Sequence, residues 1–257
     1  MSKIISVTKH KGGVGKTTTV LTLGHALALL DKRVLLVDFD PQMNLSQTLE
    51  KANWDKTNNL HYALRDRKIP LSTLIASTRI PGVDLVPSSE FLRAADVEYF
   101  RKYDSALLLN KALTQAIRED YDCILVDCPP ALNILTINAL AASDYVIIPI
   151  TPGMYSLFGI EMLTDEIDEI RNGLNARLSV LGVLITNFDR RVRVQRDVAE
   201  QIRAAFGGQV FDAEIGVNAP IQAAQSQCRT IYEYARTERG AEDYTALAEE
   251  VIRRGQI

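Results

Sequence analysis

The 257-residue chain predicts an α/β fold: a mostly parallel twisted sheet with helices on both faces. Three observations carry that expectation. Short continuous apolar runs, such as Val34-Leu35-Leu36-Val37 and Ile124-Leu125-Val126, suit strands buried on both faces, as parallel strands covered by helices are. Longer stretches of helical period separate these runs. Finally, the runs end in carboxylates or in a glycine-rich loop, and ligands of open parallel sheets bind at the carboxyl ends of the strands.

The first unit sets the theme. Residues 3–8 read as a strand and 17–30 as a helix, with Lys9-His10-Lys11-Gly12-Gly13-Val14-Gly15-Lys16-Thr17-Thr18 between and into them. Strand, glycine loop, helix is the context of a phosphate-binding loop. Glycines let the backbone turn so that several N–H groups face one anion, and the helix adds the positive end of its dipole. Lys16 would reach terminal phosphates, and the Thr17 hydroxyl would hold Mg2+. The general pattern G-x-x-x-x-G-K-[ST] asks for glycine where this chain has His10, so the match is to a variant marked by a second lysine, Lys11. Glycine-rich strand-to-helix turns also occur without a nucleotide; the lysine and two threonines in register favour the anion.

Residues 33–37 form the next strand, followed by Asp38-Phe39-Asp40-Pro41-Gln42. These carboxylates either work on Mg2+ or an attacking water, or cap the turn into a helix over 44–50. From 51 to 81 the pattern weakens, with Trp54 and Tyr62 among short helical fragments, as in an excursion between strands. Residues 83–87 read as a strand, and 91–117 as one or two helices broken near Tyr103-Asp104-Ser105. The strand over 121–127 ends in Asp127 and is stopped by Pro129-Pro130; an apolar strand ending in aspartate anchors Mg2+ in phosphate-loop enzymes. Cys128 reads as a small core residue rather than a ligand or nucleophile. Strands over 144–150, 178–186 and 209–213 and helices over 156–172, 194–206 and 240–254 complete the pattern. There are no repeats or linker-like tracts, and one domain over 1–257 is the economical expectation.

Composition narrows the classes. Hydrophobic residues make up 47% and charged residues 24%, ordinary for a globular protein. A net charge of −3 argues against wholesale coating of nucleic acid while leaving room for a local basic patch. Met1-Ser2-Lys3 runs straight into the first strand, so no signal peptide is expected. No apolar run approaches bilayer length. Three cysteines, Cys123, Cys128 and Cys228, are odd in number, lack zinc spacing and fit a reducing cytoplasm.

Lys11-Gly12-Gly13-Val14-Gly15-Lys16-Thr17-Thr18, Val37-Asp38-Phe39-Asp40-Pro41-Gln42 and Val126-Asp127-Cys128-Pro129-Pro130 together resemble the ParA/Soj family, deviant-Walker ATPases that position plasmids, chromosomes and protein cargo. The likeness continues through Asn138-Ala139-Leu140-Ala141-Ala142-Ser143-Asp144 and the Gly240-Ala241-Glu242 helix. It begins at the phosphate loop, as in the short type without an N-terminal helix-turn-helix domain. The resemblance implies a P-loop NTPase architecture with ATP and Mg2+ as cofactors, and a homodimer that sandwiches ATP. Lys11 would cross to the partner's phosphates, where a cation in trans meets the charge of phosphoryl transfer. Lys16 would act in cis within the Gly12-Gly13-Val14-Gly15 cradle, and Thr17 and Asp127 would hold Mg2+ directly or through water. Asp38 would lie on the metal side, Asp40 would orient the attacking water, Thr18 would meet the α-phosphate and Asn187 the adenine.

The resemblance further implies non-specific DNA binding by the ATP dimer, nucleoid association, and an adaptor, ParB-like or cargo-linked, that stimulates slow hydrolysis. Arg190, Arg191, Arg193 and Arg196 concentrate positive charge, with Arg203 beyond, and two such patches would bind DNA in a salt-sensitive way. The plainer alternative is a solvated face paired with Asp189, Asp197 and Glu200. Relatives often carry a Pro-Arg-Asn-Val-Arg-like run where this chain has Gly216-Val217-Asn218-Ala219-Pro220, so DNA contacts differ, weaken, or fall to Arg229 and Arg236.

Two other classes share the loop. A MinD-like membrane-associated regulator needs a C-terminal amphipathic helix with basic and bulky apolar faces. Here Ala246 to Gly255 carries adjacent glutamates and few large apolar residues, so stable membrane association is not expected. An iron protein like nitrogenase reductase needs two cysteines per subunit converging at a dimer axis. Cys123 and Cys128 instead flank one strand, and Cys228 is remote.

Overall fold

The computed structural model describes residues 2–51, 55–66, 69–99, 103–154 and 156–257; Trp54 lies outside them. Its strands are β1 Lys3–Val7, β2 Val34–Asp38, β3 Ala76–Ser77, β4 Val83–Val86, β5 Cys123–Asp127, β6 Tyr145–Ile150, β7 Ser179–Phe188 and β8 Val210–Gly216. They form one sheet in the order β3-β4-β2-β5-β1-β6-β7-β8. Every neighbouring pair is parallel except the edge pair β3 and β4. The first half of the chain supplies helices α1 Lys16–Leu29, α2 Asn44–Thr48, α3 Leu60–Asp66, α4 Ala95–Glu98, α5 Leu108–Ala112 and α6 Gln115–Asp120. The second half supplies α7 Ile134–Ala142, α8 Ser156–Gly173, α9 Arg193–Phe206, α10 Ala219–Ser226, α11 Ile231–Tyr234 and α12 Arg239–Gly255.

Successive strand residues point to opposite faces, so each continuous apolar run feeds two cores at once. Ile5, Leu36, Leu125 and Leu184 pack beneath α1 and α12, with Val20, Leu23, Leu247 and Val251. Their neighbours Ile4, Leu35 and Ile124 face the other way, against Leu64, Leu109 and Ala139 of α3, α5 and α7. Val183 and Ile185 continue that second side under α8 and α9, with Ile160, Leu163 and Ile202. The strand order brings the ends of β2, β5 and β1 side by side. Cα of Asp127 stands in register with Val7 on one flank and Asp38 on the other.

The expected strands and long helices are found with shifts of a few residues. Differences lie where periodicity is poor. The stretch 91–117 is more broken than one or two helices: a 3-10 turn, Glu90–Ala94, leads into α4, and Ser105–Leu107 into α5 and α6. A buried side chain imposes one of these breaks, since the Asn138 amide oxygen accepts from the N–H groups of Leu108 and Leu109 at 2.8 and 3.2 Å. Helix α7 was hidden because it is buried nearly all round and so shows no amphipathic stripe. Its start is set by Asn133, whose side chain accepts from the N–H groups of Leu135 and Thr136. Within 51–81 the two-residue β3 is too short to carry an alternation.

Strands β7 and β8 run longer than expected, and their pairing depends on Gly182. A Cβ there would run into the Phe211 ring. Replacing Gly182 by Ala should cost about 1–3 kcal/mol through overpacking. Urea unfolding measures it, and an unchanged midpoint would show that the close approach is not as described.

Candidate functional site

At the carboxyl edge of β1 the chain turns back into α1 through a glycine cradle. Gly13 and Gly15 have φ of 76° and 83°, a left-handed region that other L-residues enter only at a cost of roughly 1–2 kcal/mol. A Cβ at Gly12, Gly13 or Gly15 would meet nothing within 4 Å, so the space over the loop is open. Gly15 caps α1 without a side-chain hydrogen bond, and the first-turn N–H groups have no intrahelical acceptor. Together these make an anion site. Lys16 is buried beneath it and donates to the carbonyl of Lys11 at 3.3 Å. Burial lowers its pKa, opposed by Asp127, Cys128 and Asp40.

The loop is tied to distant parts of the chain. The Thr186 hydroxyl of β7 donates to the Val14 carbonyl at 2.9 Å. From the other side, Gln225 of α10 donates to the Thr18 hydroxyl. Between them lies a cleft of about 460 Å3, with Gly12, Gly13, Gly15, Lys16, Thr17, Thr18, Asp40 and Asn187 in its wall. Asn187 sits near the end of β7 with φ of 49° and is exposed. Lys11 is exposed beside the loop and makes no ion pair among the described residues.

The three aspartates divide. Asp40 lines the cleft and is 7% exposed; its carboxylate accepts from the Gln42 N–H at 2.9 Å. Asp38 is fully buried and committed elsewhere: one oxygen accepts from Asp40 N–H at 3.2 Å, the other from Ser46 N–H and hydroxyl at 2.8 and 2.5 Å. Burial pushes the Asp38 carboxyl up to about 7 despite these bonds. Asp127 is different. It is 1% exposed, and neither oxygen completes a hydrogen bond of ordinary geometry, although the nearby Thr17 hydroxyl helps to hold its pKa down. Burial first, and then the charge of Asp38, raise that carboxyl well above its usual range. An orphaned carboxylate beside a threonine hydroxyl and a glycine-lined phosphate cradle is a donor set that fits Mg2+ carried by a nucleotide. Thr17 and Asp127 are the residues that could hold such an ion, whereas the oxygens of Asp38, expected on the metal side, are taken by Ser46 of α2 and by the Asp40 amide.

A family model described as AAA domain matches residues 2–180. The Chromosome partitioning protein ParA of Caulobacter vibrioides (strain NA1000 / CB15N) is 37% identical over 254 residues, covering 98% of this chain and 94% of that protein. The Sporulation initiation inhibitor protein Soj of Bacillus subtilis (strain 168) is 38% identical over 255 residues, covering 99% of this chain and 100% of that protein. The chain belongs to the ParA/Soj family. Among solved structures, cobyrinic acid a,c-diamide synthase from Mycobacterium smegmatis, with bound ADP and magnesium, superposes with a TM-score of 0.85 at 29% identity, over 100% of this chain and 96% of that one.

This ParA/Soj chain distributes its arginines unevenly. Arg190 pairs with Glu214 at 2.7 Å, Arg191 holds both oxygens of Asp189 at 2.9 Å, and Arg193 stands 3.8 Å from Asp197. Arg196 is exposed and has no ion pair among the described residues. Arg239, which sequence reasoning passed over, joins Arg190 and Arg191 around a 310 Å3 recess that also borders Val217. Cys123 and Cys128 are fully buried, and burial raises the Cys128 thiol to about 12, as befits a core residue. The C-terminal helix spends its apolar face on the sheet: Tyr244, Leu247 and Val251 are buried. Among the described residues no helix is long and apolar enough to cross a membrane.

The main omission of the sequence reading is α10, which lines the cleft through Ile221, Gln222 and Gln225. Its signal is present in Asn218, which accepts from the Ile221 N–H, followed by Pro220 in the first turn. Thr186 has no comparable signal, being one threonine within a strand. For the site itself, Asp127→Asn should raise the stability of the nucleotide-free protein by about 1–3 kcal/mol, because burial and Asp38 penalise ionisation of a carboxyl without a good hydrogen-bond partner and a neutral amide carries no such penalty. The same change should remove the extra stabilisation that Mg2+ adds to ATP. Thermal unfolding with and without ATP and Mg2+ tests both, and a destabilised apo variant would refute the orphaned-carboxylate reading.

Proposed function

We propose that this ParA/Soj-family ATPase is an ATP-switched positioning protein. Two copies close on bound ATP, the dimer holds DNA without sequence preference, and hydrolysis resets it so that a cargo is moved or segregated. The observation that carries the reading is Lys11. Its backbone is tied to Lys16 inside the cradle while its side chain remains exposed and unpaired among the described residues. A cation so placed suits the phosphates of a second subunit better than its own, and makes closure depend on the nucleotide.

Within each copy the cradle amides and Lys16 bind the phosphates, Thr18 faces the inner phosphate, and Asn187 lies on the side left for the base. Mg2+, held by Thr17 and Asp127, would neutralise charge on the phosphate oxygens. Asp40, positioned by its N–H donating to Asp38 at 3.2 Å and by Ser88 donating to its backbone carbonyl at 2.7 Å, orients the attacking water. An adaptor, ParB-like or linked to the cargo, would accelerate this step. The DNA surface runs from Arg190 to Arg196, with Arg239 beside them in the recess that also borders Val217. A membrane-bound mode of the MinD type is less well supported, because α12 has its apolar face in the core.

Light scattering in the presence of ATP tests the switch. Lys11→Ala should retain ATP affinity within about threefold, since its charge acts across the interface, yet stay monomeric where wild type dimerises. Lys16→Ala should lose ATP itself, by roughly a hundredfold or more. A Lys11→Ala protein that dimerises normally would overturn the reading. For DNA, Arg196→Glu should weaken binding and flatten its salt dependence by about one phosphate contact, more than Arg191→Glu, whose charge Asp189 already offsets. Equal effects in salt titrations would place the DNA surface elsewhere.

A further inference from the structure

Between β1 and the cradle the chain passes through Lys9 and His10, neither of which lines the cleft. Lys9 is only 4% exposed, and its Nζ is covered yet makes no hydrogen bond. The same is true of His10 Nε2 and Glu166 Oε2, which stand 2.8 Å apart but in poor alignment for a hydrogen bond. All three belong to one contact, where the entrance to the loop meets α8. The Lys9 ammonium presses on Gly159 of that helix, where a Cβ would stand 2.9 Å from Nζ and 3.4 Å from Cε.

This contact is expensive. Glycine within a helix is less favourable than alanine, and an unpaired buried ammonium costs more still. Burial lowers the Lys9 pKa to about 8, with the attraction of Glu166 opposing and Lys11 adding to the shift. A methionine would fill the same space without the desolvation penalty. What the lysine has is a mechanical connection: two residues on, the carbonyl of Lys11 accepts from Lys16 inside the cleft.

We propose that Lys9 is a positioning residue of the nucleotide site, lodged against Gly159 and steered by Glu166, so that the attitude of α8 sets the path of the phosphate loop and the placement of Lys11 and Lys16. The inference rests on the assignment of the cleft to ATP and not on the DNA surface. Besides Glu166, the charged or titratable groups facing this cluster are His10 and Lys11 on its own segment, Lys16 of α1, and Asp165 and Glu169 of α8. Between about pH 8 and the ordinary lysine value of 10.5 the unfolded chain binds the proton that the folded one has lost, so Lys9 makes stability rise with pH across that window.

The experiment is titration of the full chain with a fluorescent ATP analogue, alongside thermal unfolding, for Lys9→Met, Glu166→Gln and the double variant. Lys9→Met should melt higher at pH 7 and lose the alkaline rise in Tm, yet bind the analogue about tenfold more weakly, a coupling of ordinary size for contacting groups. Glu166→Gln should weaken binding in the same direction, and the double variant should be no weaker than Lys9→Met. Gly159→Ala, which keeps every charge but displaces the ammonium, should reproduce the loss should Lys9→Met fold poorly. Wild-type affinity in Lys9→Met, or a double variant whose loss is the product of the two single losses, would overturn the proposal. Lys16→Ala distinguishes the two failures. If it still binds, the cleft assignment falls and takes this inference with it; if it does not, wild-type affinity in Lys9→Met removes the inference alone.

Discussion

Two carboxylates placed opposite each other and out of water govern this structure. Asp38 and Asp127 share a register position on adjacent strands, and both are buried. Burial disfavours ionisation of both; after it, the charge of Asp38 disfavours that of Asp127, and the charge of Asp40 disfavours that of Asp38. Asp38 resolves its share through Ser46 and the amide of Asp40, and in doing so anchors α2 and the mouth of the cleft. Asp127 is left without such partners, with Lys16 as the nearby cation that favours its charge. The glycine cradle, the buried lysine and the open space above them become coherent around that one unresolved group. That carboxyl is the one group here whose own chain supplies no good partner, and a nucleotide bearing a divalent ion would supply one.

Much of this was legible from residues alone. The parallel sheet followed from continuous apolar runs, because a strand covered on both faces has no polar positions to show. The loop, Asp40 and Asp127 were legible because each lies directly after an apolar run, at the sheet edge where ligands bind. Illegible features depended on tertiary partners. Helix α7 lacks a polar face to reveal its period, and the breaks between α4, α5 and α6 answer in part to Asn138, far along the chain. The role of Asp38 could not be separated from that of Asp127 without knowing that Ser46 turns back onto it. In the arginine run the sequence left two readings open, a positive surface or a paired face; folding sets carboxylates against Arg190, Arg191 and Arg193, while Arg196 has no ion pair among the described residues.

The C-terminal segment carries a charge into the interior. Glu250, one of the adjacent glutamates of the terminal helix, is 3% exposed. Its carboxylate accepts from the N–H groups of Asp212 and Ala213 at 3.0 Å and pairs with Arg254 at 2.6 Å, which binds α12 to the edge strand β8. The last helix is thereby part of the frame that carries the far wall of the cleft, rather than an appendage available to another surface.

The ties that hold the phosphate loop are among the longest in the chain. Val14 is fastened by Thr186, 172 residues later, and Thr18 by Gln225, 207 residues later. During synthesis the whole glycine loop leaves the ribosome while the strand and helix that complete its cleft are still untranslated. A nascent or truncated chain therefore owns the signature of a nucleotide site without owning the site. Interrupted translation would leave the loop without the rest of its cleft, which is complete only when the last third of the chain has been made.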